Sequence, residues 1–254
     1  MKLYKIYFSP TGGTKKVIDA VSDMWSCEKE TLDLFSQDKP YKCAFNEDDI
    51  CIVAVPSFGG RVPALAIERM QQLKGNHTKT IFIAVYGNRD YDDTLLELKD
   101  ALENLDFCCI AGIAAIAEHS ICRQFATNRP DDKDIEELKD FAKQIQQKIQ
   151  SGVKDTPLVK GNHPYKKYGG VPLAPKANNT CTNCGICAAE CPVKAIPKDN
   201  PRTVDKTKCI ACMHCISVCP NHSRVNNKIL TFVSAQALKK SCSSRKQNQL
   251  FLGK

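Results

Sequence analysis

The sequence predicts an α/β protein: a doubly wound parallel sheet over residues 1–152, followed by a small α+β module with metal-binding cysteines. Three observations lead there. Continuous apolar runs alternate with helically spaced segments through the first 150 residues. Glycines and prolines then interrupt all periodicity over residues 153–176, as a linker would. From residue 177 onward one cysteine pattern occurs twice.

The elements follow in order. Lys2–Phe8 is a short β-type run, and Thr14–Trp25 has apolar residues at helical spacing. Glu30–Leu34 is a weaker strand. Ile50–Val55 and Thr80–Tyr86 are uninterrupted apolar runs of the kind buried in parallel sheets. Between them Pro63–Leu73 reads as a helix with proline at its start. Asp92–Leu105 is a helix, Phe107–Ala117 a strand rich in small apolar residues, and Asp131–Ser151 a long amphipathic helix closed by Gly152. Residues 177–254 are expected to form the second domain, with a basic, solvated tail over Ser241–Lys254.

Cys181, Cys184, Cys187 and Cys191 precede Pro192, and Cys209, Cys212, Cys215 and Cys219 precede Pro220. Each set reads C-x2-C-x2-C-x3-C-P, and the second repeats the first at an offset of 28 residues. Three cysteines spaced by two residues wrap one loop around three corners of an iron–sulfur cubane. Zinc is the competing reading, but its C-x2-C pairs usually lie farther apart and close a single tetrahedron. Over about residues 176–225 the chain resembles the two-cluster bacterial ferredoxins. The resemblance implies two [4Fe–4S] clusters with crossed ligation. Cluster I takes Cys181, Cys184, Cys187 and Cys219; cluster II takes Cys209, Cys212, Cys215 and Cys191.

The remaining seven cysteines are odd in number and scattered in apolar stretches, which points to reduced thiols and a cytoplasmic setting. No run approaches the length of a membrane span. Charge is unevenly placed. Residues 1–164 carry 21 Lys and Arg against 25 Asp and Glu, whereas residues 165–254 carry 15 against 3. No nucleic-acid motif accompanies the basic half, so a solvated face or a docking face for an acidic redox protein partner is the expected reading.

Loops at the carboxyl ends of parallel strands form ligand sites. The first, Ser9-Pro10-Thr11-Gly12-Gly13-Thr14, sets hydroxyls and glycine N–H groups at a helix N-terminus, an anion cradle whose plain alternative is a capping turn. It lacks the P-loop and dinucleotide signatures. In this position it resembles the FMN-phosphate loop of flavodoxins. By the same resemblance, Pro56, Phe58, Gly59 and Gly60 form the loop that stacks on the flavin, with Arg61 either a partner for its polar edge or a surface ion pair. Gly87, Asn88, Arg89 and Tyr91 form the loop that holds the pyrimidine edge, with Tyr91 as a second stacking ring and Asp92 a helix cap. His119 ends the last strand at the same rim, as a structural or a catalytic residue.

Taken whole, the chain resembles the flavodoxin–ferredoxin fusion proteins of anaerobes. That implies FMN and an electron relay in which Arg61 and Arg89 favour the negatively charged reduced flavin. A flavin reductase with its own acceptor, and a redox-sensing subunit docking through the basic tail, are the alternatives.

Overall fold

Strands β1 (Leu3–Tyr7), β2 (Lys29–Asp33), β3 (Ile50–Pro56), β4 (Lys79–Tyr86) and β5 (Cys108–Ile116) pair in parallel in the order β2-β1-β3-β4-β5. This is the flavodoxin-like winding, with its switch point between β1 and β3. The structure, a computed structural model, describes residues 1–36, 43–153 and 155–253. Helices α1 (Gly13–Ser22), α2 (Ala64–Met70), α3 (Thr94–Glu103) and α4 (Asp132–Gln150) supply the connections.

The period-two alternation of side chains divides the core into two layers. Tyr4, Ile6, Val53 and Val55 pack with Ala66, Met70, Leu95 and Leu98 of α2 and α3. Leu3, Tyr7, Ile50 and Ile52 pack with Val17, Val21, Leu138 and Ala142 of α1 and α4. Because both faces are covered, β3, β4 and β5 read as unbroken apolar runs. A capping box starts α4: the Asp131 side chain accepts from the Asp134 N–H at 3.2 Å, and Asp134 accepts from the Asp131 N–H at 3.0 Å.

The Gly/Pro stretch is docked along its length rather than loose. Asp93 accepts from the backbone N–H of Asn162 and Lys166, and the Tyr165 hydroxyl donates to Asp100. Lys160 pairs with Asp90, and Lys166 with Asp92, both at 2.8 Å. Burial works to raise these two carboxyls. Lys160 at Asp90, and Arg89 and Lys166 at Asp92, nevertheless hold both below their ordinary range. A depressed carboxylate contributes stability above its unfolded pKa of about 3.9 and loses it as pH falls through the folded value. Limited pepsin digestion is therefore expected to cut within residues 158–170 faster below about pH 4 than at pH 5. Equal rates would show that these pairs do not hold the segment.

The cysteine module contains β6 (Lys176–Ala177), α5 (Ile186–Ala189), α6 (His214–Ser217) and β7 (Arg224–Val225), with β6 antiparallel to β7. Its repeat extends to the backbone. Asn183, Gly185 and Lys194 lie at positive φ, and so do Ala211, Met213 and His222, each 28 residues later. Left-handed Ala211 and Met213 cost about 1–2 kcal/mol each, so the surrounding loop must impose the conformation.

The chain then leaves the module, contrary to the expected domain boundary of 177–254. Helix α7 (Lys228–Cys242), N-capped by the Asn227 side chain, crosses back to the sheet domain. Strand β8 (Gln249–Leu252) joins the main sheet antiparallel to β5 as its sixth strand. The expected solvated tail is likewise corrected for its described part, since Lys254 lies outside the described residues. Asn88 Nδ2 donates to the Cys242 and Ser244 carbonyls, and Arg245 pairs with Asp131. Asn248 Oδ1 accepts from the Ile116 N–H, and its Nδ2 donates to Asp134. No helix among the described residues is long and apolar enough to cross a membrane.

Candidate functional site

A cavity of about 330 Å³ lies at the carboxyl ends of β3, β4 and β5 and adjoins a smaller one of about 70 Å³. The two share Ser57, Phe58, Tyr86, Gly87, His119 and Ser120. The smaller cavity is the cradle side, walled by Thr11, Gly13, Thr14 and Pro56. Gly12, at φ 86°, turns the chain into α1, and Ser9 Oγ accepts from the Lys15 N–H at 2.9 Å. The Lys15 ammonium is tied to Asp19 at 2.6 Å, which leaves neutral N–H and hydroxyl donors for an anion.

Phe58 and Arg61 exchange backbone hydrogen bonds of 2.9 and 3.2 Å across Gly59 and Gly60. Both glycines have positive φ, as a type I′ hairpin turn requires. A Cβ on Gly59 would lie 2.3 Å from the Tyr168 ring, so this aromatic of the docked segment closes over the turn. Phe58, Gly59, Gly60, Gly87 and Arg89 all line the larger cavity.

Three candidates lie elsewhere. Arg61 is held by Glu97 through two bonds of 2.8 and 2.7 Å and lies over the Tyr165 ring, so its guanidinium is committed to an ion pair away from both cavities. Tyr91 is buried against Tyr86 with its hydroxyl on Gln249, so it anchors β8 rather than walling the cavity. The buried Asn88 side chain is spent on the backbone at the C-terminal end of α7 and just beyond it. Nor does Asp92 cap α3; the N-cap residue is Asp93, and Asp92 pairs with Arg89 and Lys166.

His119 is more enclosed than a surface histidine. Its Nδ1 accepts from the Ile121 and Cys122 N–H groups, both at 3.2 Å, which leaves the ring proton on Nε2. Burial lowers its pKa, so the neutral form carries that donor at the cavity wall. Tyr168, Leu173, Ala237 and Leu238 complete the wall from residues the sequence did not single out. A tyrosine beside Gly169-Gly170 in an otherwise polar stretch was the only available signal.

Two further cavities hold the cysteines. Cys181, Cys184, Cys187 and Cys219 line one; Cys191, Cys209, Cys212 and Cys215 line the other. The Ala195 and Ser223 N–H groups donate to Cys191 Sγ and Cys219 Sγ at 3.2 and 3.1 Å. Four cysteines line each void, with N–H donors on the two crossing cysteines, and this is the donor set a cubane takes. Residues 175–220 match the family model described as a 4Fe-4S dicluster domain.

This segment is a 4Fe-4S dicluster domain. No curated protein matches the chain. Among solved structures, the sheet domain is similar to a flavodoxin from Streptococcus pneumoniae, at 18% identity over 58% of this chain and 99% of that one, with a TM-score of 0.38. It is also similar to an archaeal flavodoxin, at 13% identity over 59% and 99% with a TM-score of 0.37. An NAD(P)H:quinone oxidoreductase from Methanothermobacter marburgensis matches at 15% identity over 59% and 96%, with a TM-score of 0.36. Strand order, rather than these likenesses, establishes the flavodoxin-like fold.

The dicluster domain docks directly on the cradle loop. His214 Nδ1 meets the Pro10 carbonyl at 2.6 Å, its ring lies 4.5 Å from that of Phe35, and its Nε2 meets Glu190 at 2.8 Å. Cys212 consequently lines the cradle-side cavity as well as its own cysteine cavity.

Proposed function

We propose that the chain relays single electrons between two [4Fe–4S] clusters and a bound FMN. The observation that carries this reading is Cys212, a wall residue of both the second cysteine cavity and the cradle-side cavity. Bound clusters supply one-electron steps, and FMN supplies one- or two-electron storage. Cys181, Cys184, Cys187 and Cys219 hold cluster I, and Cys191, Cys209, Cys212 and Cys215 hold cluster II. Cluster II is then the one beside the flavin. Cys184 is exposed, so cluster I faces outward, toward a redox partner.

The chain's own residues account for FMN retention. Thr11, Thr14 and the N-terminus of α1 receive the phosphate, Phe58 and Tyr168 offer ring faces, and His119 Nε2–H offers a fixed donor. Helix α7 and the docked segment each wall part of the larger cavity. None of the fifteen cysteines is in a disulfide, which fits a reducing cytoplasm.

Anaerobic purification is expected to yield flavin absorbance over a broad iron–sulfur background. Absence of flavin, with no binding of added FMN, would remove the relay and leave the dicluster domain. Phe58→Ala is expected to weaken FMN binding about 2–10-fold, the worth of one aromatic contact, read by fluorescence titration.

One observation favours a second reading, a flavin-dependent reductase. A cleft of about 720 Å³ opens between Phe58, Tyr168, Arg61, Lys206 and Cys209. An acceptor bound there would give saturable turnover that an occluding Gly170→Trp change abolishes while FMN stays bound.

A further inference from the structure

Arg224 of β7 is 2% exposed and has no ion-pair partner among the described residues. Its Nη1 donates to the Pro175 carbonyl at 2.9 Å, and its Nη2 to the carbonyls of Thr203, at 3.2 Å, and Pro201. Its Nε is buried without a partner. Taking a guanidinium out of water costs several kcal/mol, and a carbonyl cage supplies dipoles without a counter-charge. A buried arginine in such a place needs an anion.

The surroundings show where that anion belongs. Pro175 walls the Cys191 cavity and Pro201 the Cys181 cavity, so the guanidinium spans the space between the two. Arg224 itself lines the Cys181 cavity. On the other side its Nη1 is held by the carbonyl of Pro175, a wall residue of the Cys191, Cys209, Cys212 and Cys215 cavity. One cation thus addresses both ligand sets. Each oxidised cluster with four thiolates carries a net charge of about −2, and each added electron deepens it.

We propose that Arg224 is the shared counter-ion of the two clusters, a fixed positive charge that raises the reduction potential of both. The proposal rests on the two-cluster reading above. It gives the basic balance of the second half a specific interior role that is independent of any docking face. It also makes the second electron less costly to add, because the same cation faces both sites.

The test is EPR-monitored potentiometry on the anaerobic, cluster-loaded full chain. Arg224→Gln is expected to disfavour reduction of both clusters about tenfold, or about 59 mV for a one-electron couple, whereas Arg224→Lys stays near the parent. Unchanged potentials in R224Q with full iron content would overturn the proposal, as would R224K shifting as far as R224Q. Should R224Q lose its iron, R224K decides. Full iron with parental potentials supports the counter-ion. Full iron with lowered potentials overturns it, and so does loss of iron from R224K too, which would reveal a purely structural fork. A parent chain without iron would instead sink the two-cluster reading.

Discussion

Replacing Cys191 with serine is expected to cost the protein about half of its iron while the other cluster keeps its EPR signature. The reason is spatial. Cys191 follows the first cysteine run in sequence, yet its side chain lines the cavity of Cys209, Cys212 and Cys215. Its sulfur is already aligned by the Ala195 N–H. A serine oxygen is a harder and more weakly coordinating ligand, so that cavity should empty first. FMN should remain, because Cys191 does not line either rim cavity. Reduction of the flavin by an external iron–sulfur donor should fall to a small fraction, while chemical reduction continues at its normal rate. Loss of the Cys181-side signal instead would refute the crossed ligation.

The largest effect on stability is expected at Arg129. Its Nε reaches Asp134 at 2.8 Å, its Nη2 takes the second carboxylate oxygen, and its Nη1 donates to the Lys246 carbonyl at 2.9 Å. The two side chains are 4% and 1% exposed. Breaking a buried pair by removing one partner costs about 3–5 kcal/mol, because the other charge stays behind. Arg245, 3.2 Å from Asp134, offers partial compensation, so Arg129→Ala should fall near the lower end of that range. Denaturant unfolding of the full chain under anaerobic conditions gives the number, and a loss under about 1 kcal/mol would contradict the assignment. The double change Arg129→Met with Asp134→Leu should cost less than the single one.

The five parallel strands and four helices were legible because each is a local pattern: an apolar run buried on both faces, or a helical stripe. The crossed cysteine sets were expected from the resemblance to two-cluster ferredoxins, and the two cysteine cavities group the same residues. What escaped was non-local. Nothing near Arg61 announces Glu97, and nothing near Tyr91 announces Gln249. Both residues sit in the expected loops, but the direction of a loop side chain depends on what arrives from elsewhere. Tyr168 takes a place at the cavity from a stretch with no periodicity at all. Strand β8 is one exposed and three half-buried residues inside a basic segment, a pattern that also fits an exposed coil. Its pairing depends on the free edge of β5, which no window of sequence around it reveals.

The return of α7 and β8 to the sheet sets an order of events during synthesis. A ribosome makes the cysteines of the two runs before it makes Ala237 and Leu238, which wall the larger rim cavity, and Gln249–Leu252, which finish the sheet. The nascent sheet domain therefore waits with an open edge and an unwalled cavity until the iron-binding segment has passed. A gene cut at the linker would express a half that lacks its outer strand. The rim cavity is therefore complete only after both cysteine runs have emerged.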